Sequence, residues 1–239
     1  KVKTTLDIAG GEFTEEWRED RGWDGMVDEQ YGSGAPRKER KALIIAGGSA
    51  SGKSTLANID AVTLGALIVD SDEAKKLLPE FDGGAGSNIV HLESKAINAL
   101  TLERALENGD NVILPVVGSS GSSIPRTIEA LRAAGYDVAF KYVDVPVGTA
   151  QARNVSRIYR TGRFIDPQYL TSQYGSIRAN FTRGKNDADA FSRVTNERGD
   201  IEIIEEGGDW SLFGGGTSTM EGGGRTRSAA PRRNVPEAD

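Results

Sequence analysis

Residues Gly47, Gly48, Ser49, Ala50, Ser51, Gly52, Lys53 and Ser54, followed by Thr55, fit the pattern G-x-x-x-x-G-K-[ST]. The chemistry open to such a run is the grip of a nucleotide's phosphates. Glycine at 47 and 52 admits dihedrals that side chains forbid. Successive N–H groups can then turn inward and, with the positive end of a following helix, form an anion cradle. Lys53 is placed to reach the β- and γ-phosphates, and the Ser54 hydroxyl to bind Mg²⁺. Further along, Asp72 is the candidate to accept the proton of an attacking hydroxyl, and Asp70 competes for that role or for orienting the magnesium shell. Arg153, Arg157 and Arg160 are spaced by four and three and share a helix face, with Arg163 in the loop beyond. Arginines that close over a nucleoside triphosphate stabilise charge on the transferring phosphoryl group. His91, Glu93 and Ser94 open a long helix beside a glycine-rich loop. Together with Ser119, Ser120 and Arg160 they are candidates for holding the second substrate.

These residues need a scaffold, and the hydrophobic pattern supplies one. The apolar run from Lys41 to Ala46 reads as a buried strand that feeds the cradle, and Thr55-Leu56-Ala57 opens a helix over about 53 to 61. Ala66 to Asp70 reads as a second strand, too continuously apolar for an exposed edge. Ser71-Asp72-Glu73 caps a short helix that Pro79 ends, and 82 to 87 is a flexible loop. A long helix follows over 89 to 107, with apolar positions at 89, 92, 96, 97, 100 and 106. Residues 111–117 form a third strand in which Pro115 marks a bulge or the end. Helices at 124–134, 147–159 and 168–183 alternate with strands at 136–145, 190–196 and 201–204. That alternation predicts an α/β fold of the P-loop NTPase type: a three-layer sandwich with a mostly parallel five-stranded sheet and helices on both faces.

The expected domain is 41–206. Residues 1–40 carry acidic patches, glycines and two tryptophans, Trp17 and Trp23. They read as a leader or linker held loosely by those rings, or as a regulatory flap, with a hinge at Gly32 to Pro36. From 207 to 239 the chain is rich in glycine and serine and reads as a disordered tail with solvated arginines.

Composition removes several function classes. The formal net charge is −6, which argues against nonspecific nucleic-acid or anionic-membrane binding as the main activity. With no cysteine and one histidine, disulfides, thiolate catalysis and multi-histidine metal sites are excluded. No apolar run approaches the roughly 20 residues that cross a bilayer, so a cytoplasmic protein is expected. A first residue of Lys rather than Met suggests trimming or excision from a longer protein.

The ordered set G-G-S-A-S-G-K-S-T, I-V-D-S-D, L-P, V-H-L-E-S, V-P and the arginines at 157 and 163 resembles the zeta toxin family of P-loop kinases over about residues 41 to 205. The resemblance implies an ATP- and Mg²⁺-dependent kinase with UDP-N-acetylglucosamine as acceptor at its sugar 3′-hydroxyl, and an antitoxin protein as partner. It also implies that Lys53 and Ser54 hold phosphates and metal, that Asp72 is the base, and that Arg157 and Arg163 clamp the phosphates. One departure stands out. Family members often carry an acidic residue at the end of the third strand, where this chain has Leu114-Pro115-Val116-Val117-Gly118. The acceptor here could therefore be another small hydroxylated molecule, such as NAD, a nucleoside or an antibiotic. The rival from a different class is a non-catalytic binding module gated by nucleotide.

Overall fold

The computed structural model describes residues 2–32, 34–161 and 165–214, apart from the side chains of residues 158, 160 and 161. In chain order its elements are α1 (Thr5–Ile8), α2 (Glu15–Arg21), α3 (Trp23–Gly32), β1 (Lys41–Ala46), α4 (Lys53–Leu64), β2 (Leu67–Ile68), α5 (Ser71–Lys76), a 3₁₀ segment (Pro79–Gly84), α6 (His91–Asn108), β3 (Val112–Val116), α7 (Ser123–Ala133), β4 (Asp137–Val143), α8 (Val147–Thr161), α9 (Pro167–Gly184), β5 (Ala190–Thr195) and β6 (Glu202–Gly208).

The strands form one sheet in the order β2-β3-β1-β4-β5-β6. β1 to β5 run parallel, and β6 turns back antiparallel on β5. The expected sheet of five strands is thus one of six, because the closing hairpin adds a strand that needs no crossover helix. One face packs Ile44, Val138 and Phe140 against Ile124, Ile128 and Leu131 of α7 and Ile177 and Phe181 of α9. The other packs Leu43, Ile45, Ala139 and Val143 against Leu56, Ala57 and Leu64 of α4 and Ala150 of α8. β1 is buried from Ala42 to Ala46 because both faces are covered, which is why its sequence is continuously apolar.

β2 lies at the end of the sheet, yet Leu67 is only 2% exposed. Tyr31 of α3 packs onto its cluster, and the Arg37 N–H donates to the Gly65 carbonyl at 2.7 Å, so the edge is covered rather than internal. Pro115 sits inside β3 without breaking a ladder. The β2 pairing ends at Ile113, and Pro115 faces the same side, so its missing N–H costs no bond.

Two expectations about the chain ends are corrected. Residues 5–32 are not a loose linker. They fold into three helices that share a core with the α5–α6 region, in which Trp23 (1% exposed) and Val27 pack against Ala74, Leu78, Val90 and Ile97, with Phe13 and Trp17 at the margin. Fully burying one large apolar side chain stabilises by roughly 1.5–3 kcal/mol, so Trp23, with Val27 and the partly buried Trp17 beside it, contributes to docking a polar, glycine-containing segment. At the other end, residues 207–214 are ordered. β6 runs to Gly208, Trp210–Phe213 forms a 3₁₀ turn, and the Trp210 ring lies under the Lys141 ammonium at 5.3 Å. The remainder of the expected tail, 215–239, lies outside the described residues.

Candidate active site

β1 delivers the chain into the 47–52 loop at the carboxyl edge of the sheet, where ligands bind in open α/β folds. The glycines are needed there for two different reasons. Gly52 has φ 99° and caps α4 in the left-handed region. Gly47 has no room: a methyl group would meet Ser51 Oγ at 2.7 Å and the Val143 carbonyl at 3.1 Å. Ala50 adopts φ 61° despite its side chain, a conformation that costs roughly 1–2 kcal/mol. Lys53 Nζ donates to the carbonyls of Gly47 (2.7 Å) and Gly48 (3.0 Å), so the ammonium lies across the loop. Ser54 and Thr55 are exposed at the start of α4.

The second wall is the β2–α5 junction. Asp70, not the triplet beginning at Ser71, caps α5: its Oδ1 accepts from the Asp72 N–H at 2.9 Å. Burial pushes the Asp70 carboxyl above its ordinary range. Asp72 and Glu73 add to the rise, while the Asp72 N–H and Lys53 oppose it. Asp72 stands in the first turn of α5 with 38% of its side chain exposed, and Lys75 Nζ, itself nearly buried, reaches its Oδ1 at 2.9 Å. His91, at the start of α6, titrates below its ordinary value through burial and the nearby Lys75 and Lys95, with Asp72 opposing. Asp70, Asp72, Lys75 and His91 therefore form one electrostatic neighbourhood, and Asp70 lies in the field of Lys53 as well. Ser54 and Asp70 line the same cavity, of about 600 Å³ between α3, α4 and α5.

Other sequence candidates fall elsewhere. Glu93 is 0% exposed. It accepts from Trp17 Nε1 (3.2 Å), Trp23 Nε1 (2.9 Å) and Arg21 (Nε 3.0 Å, Nη2 3.1 Å), and Arg21 also forks onto Glu80 with two bonds of 2.7 Å. Its carboxylate anchors the amino-terminal helices instead of facing a ligand. Ser94 is buried and donates to the His91 carbonyl within α6. Ser119 and Ser120 expose their side chains after β3, while their carbonyls accept bonds from Ser176, Asn180 and Ser123. Of the arginines, Arg153 ties the scaffold together through Ser51 O (3.1 Å), Asn196 Oδ1 (2.8 Å) and Asn196 O (2.8 Å). Arg157 is half-buried on α8, whereas Arg163 and the side chain of Arg160 lie outside the described residues. Lys75 and Asn196 are absent from the sequence reading. The i, i+3 relation of Asp72 and Lys75 is a signal that could have found the first.

The family profile described as zeta toxin matches residues 28–209. The chain belongs to the zeta toxin family. Membership places it among kinase-type phosphotransferases, in agreement with the cradle and the carboxylates beside it. In fold, this zeta toxin family member is similar to a structure of the PezAT chromosomal toxin-antitoxin system of Streptococcus pneumoniae, at 12% identity over 82% of each chain and a TM-score of 0.66. It is also similar to the AvrRxo1-ORF1:AvrRxo1-ORF2 complex with ATP, at 16% identity, covering 86% of this chain and 77% of that one, with a TM-score of 0.67. The native form of that complex gives 17% identity, 85% and 76% coverage and a TM-score of 0.66. At such identities the likeness is one of fold. No curated protein matches the chain in sequence. Among the described residues no helix is long and apolar enough to cross a membrane.

Proposed function

We propose that the chain transfers the γ-phosphate of ATP to a hydroxyl of a small metabolite, with Asp72 as the base. The carrying observation is the convergence of the Gly47–Thr55 cradle with Asp70 and Asp72 on one edge of the sheet, Ser54 and Asp70 opening into a shared cavity. In the reaction the acceptor O–H gives its proton to Asp72 as its oxygen attacks the γ-phosphorus. The bond from that phosphorus to the β,γ-bridging oxygen breaks, and ADP leaves. Backbone N–H groups of Gly48, Ala50 and Gly52 and the Lys53 ammonium bind the phosphate tail, those of Gly47, Ser49 and Ser51 being already bonded within the protein, and Lys75 orients the Asp72 carboxylate. Arg157 and Arg163 are proposed to clamp the phosphates, with Arg160, His91, Ser119 and Ser120 facing the second substrate.

The donor set fits Mg²⁺. Among the described residues no group of three or more His, Cys, Asp or Glu could hold a metal alone. The ion would be held instead by the Ser54 hydroxyl, substrate phosphates and water, with Asp70 in its outer shell, the sparse oxygen set that Mg²⁺ favours. When bound it would neutralise charge on the β- and γ-oxygens.

UDP-N-acetylglucosamine, phosphorylated at its sugar 3′-hydroxyl, is the acceptor the family resemblance favours, and an antitoxin protein the partner. One observation favours a different acceptor. The stretch Leu114 to Gly118, where family members often carry an acid, holds none here, and its Val116 and Val117 pack onto the hydrophobic cluster beneath α7 and α9, so any acceptor contact that such a carboxylate makes would be absent. Incubation with ATP, Mg²⁺ and UDP-N-acetylglucosamine, alongside NAD and a nucleoside panel, tests the proposal by mass spectrometry. A product heavier by one phosphate supports it. No product from any acceptor refutes the transfer.

A further inference from the structure

α9 leaves the arginine-bearing segment at Asp166, whose side chain caps it, and crosses the carboxyl edge of the sheet. Its Leu170 packs with the α4–α8 cluster, and its Ile177 and Phe181 pack with the opposite one. At the crossing, both backbone polar groups of Ser49, its N–H and its carbonyl, are taken by this helix. The Ser49 N–H donates to Gln173 Oε1 at 3.1 Å, and the Tyr174 hydroxyl donates to the Ser49 carbonyl at 2.9 Å. Gln173 is 4% exposed, and burial raises the Tyr174 phenol, which holds its proton as a donor. The Tyr174 ring occupies the space a side chain would need at position 48: a methyl group on Gly48 would lie 2.1 Å from Cε2. This accounts for the second glycine of the run. Farther along α9, Ser176 Oγ donates to the Ser119 carbonyl (3.1 Å), and the buried Asn180 donates to the carbonyls of Gly118 and Ser119 (2.9 Å each). Positions 173, 176 and 180 are spaced by three and four and share a helix face, so one face of one helix grips two loops.

We infer that Gln173 and Tyr174 are positioning residues for the nucleotide: they fix the Ser49 peptide, and with it the strained turn at Ala50, in the shape that receives phosphates. Ser176 and Asn180 do the same for the loop after β3, on the acceptor side. The inference deepens the kinase reading and rests on it. It assigns α9 two separable duties, one toward ATP and one toward the acceptor loop.

Calorimetry with Mg–ATP on wild type, Q173M, Y174F and N180A, with melting curves for each, tests this. Each of Q173M and Y174F removes one partner of Ser49 without introducing a charge, and is expected to weaken ATP roughly 3- to 10-fold with melting close to wild type. The β-phosphate ³¹P resonance of bound ATP should also move. N180A is expected to leave ATP affinity within about twofold, because its bonds end on the other loop. If Q173M and Y174F bind ATP as wild type does, the assignment is overturned. It is also overturned if N180A weakens ATP as much as they do, since the effect would then be general loosening. A wild type that binds no ATP would remove the kinase reading and this assignment with it, a result distinguishable from the other two.

Discussion

Asp72 and Glu93 are the same kind of residue in the same kind of place, an acid in the first turn of a helix, on the adjacent helices α5 and α6. Their surroundings are opposite. Asp72 keeps 38% of its side chain exposed beside one lysine three residues away. Glu93 is wholly buried under donors that come from 70 to 76 residues upstream. A carboxylate that must take a proton from an incoming alcohol needs access, and one saturated by an arginine and two indoles cannot supply it. The difference separates the wall proposed to work on substrate from a joint that holds the amino-terminal helices to the domain.

Breaking the joint should cost the most stability. Arg21→Ala strips the guanidinium from a fully buried Glu93, and unpairing a buried charge typically costs about 3–5 kcal/mol. Denaturant unfolding should show that loss, while ATP affinity stays near wild type. Acid should reach the same joint. Arg21 holds the Glu80 carboxyl below its usual 4.5. The stabilisation this brings is complete above that value and is lost as pH falls through the lowered folded-state value. Melting temperature should therefore drop more steeply below about pH 4.5 in the wild type than in Arg21→Ala; parallel curves would contradict the pairing.

On the other wall the effects on stability should be smaller or reversed. Burial raises the Asp70 carboxyl above 3.8, so the fold prefers its protonated form, and stability is lost as pH rises from 3.8 through the raised value. At neutral pH the ionised group is a burden. Asp70→Asn, which keeps a good helix cap, should stabilise the metal-free protein by about 0.5–2 kcal/mol while weakening Mg²⁺-dependent turnover. Lys75→Met, which keeps the buried stem and removes only the ammonium, should be smallest in unfolding free energy, about 0–1 kcal/mol, because its partner is more than a third exposed. Its effect should appear in turnover instead.

What could be read from the sequence follows the same division. The cradle was legible because its chemistry is contiguous: Gly47 to Ser54 carry turn, charge and the proposed metal ligand in one run, bounded by a strand and a helix. The alternation of strands and helices was legible because both sheet faces are covered, leaving β1 plainly apolar after Lys41 and β4 apolar except at Asp137 and Lys141. The role of Glu93 was not, since nothing near it announces Trp17, Arg21 and Trp23 as partners. The amino-terminal helices were missed because their apolar residues are few and sit among acids and glycines, so tertiary burial of Trp23 and Val27 decides what local pattern does not. The cap of α5 was misplaced by one or two residues because Asp70, Ser71 and Asp72 are all competent caps, and only the backbone chooses.

The central claim is that Asp72 takes the acceptor's proton while the glycine loop holds ATP independently of it. Measuring ATP affinity and phosphoryl transfer side by side for wild type and Asp72→Asn addresses both halves, using whichever acceptor in the panel is phosphorylated. The account expects unchanged ATP binding, within about twofold, with transfer slowed about 10²- to 10⁴-fold. Transfer by Asp72→Asn at the wild-type rate would contradict it.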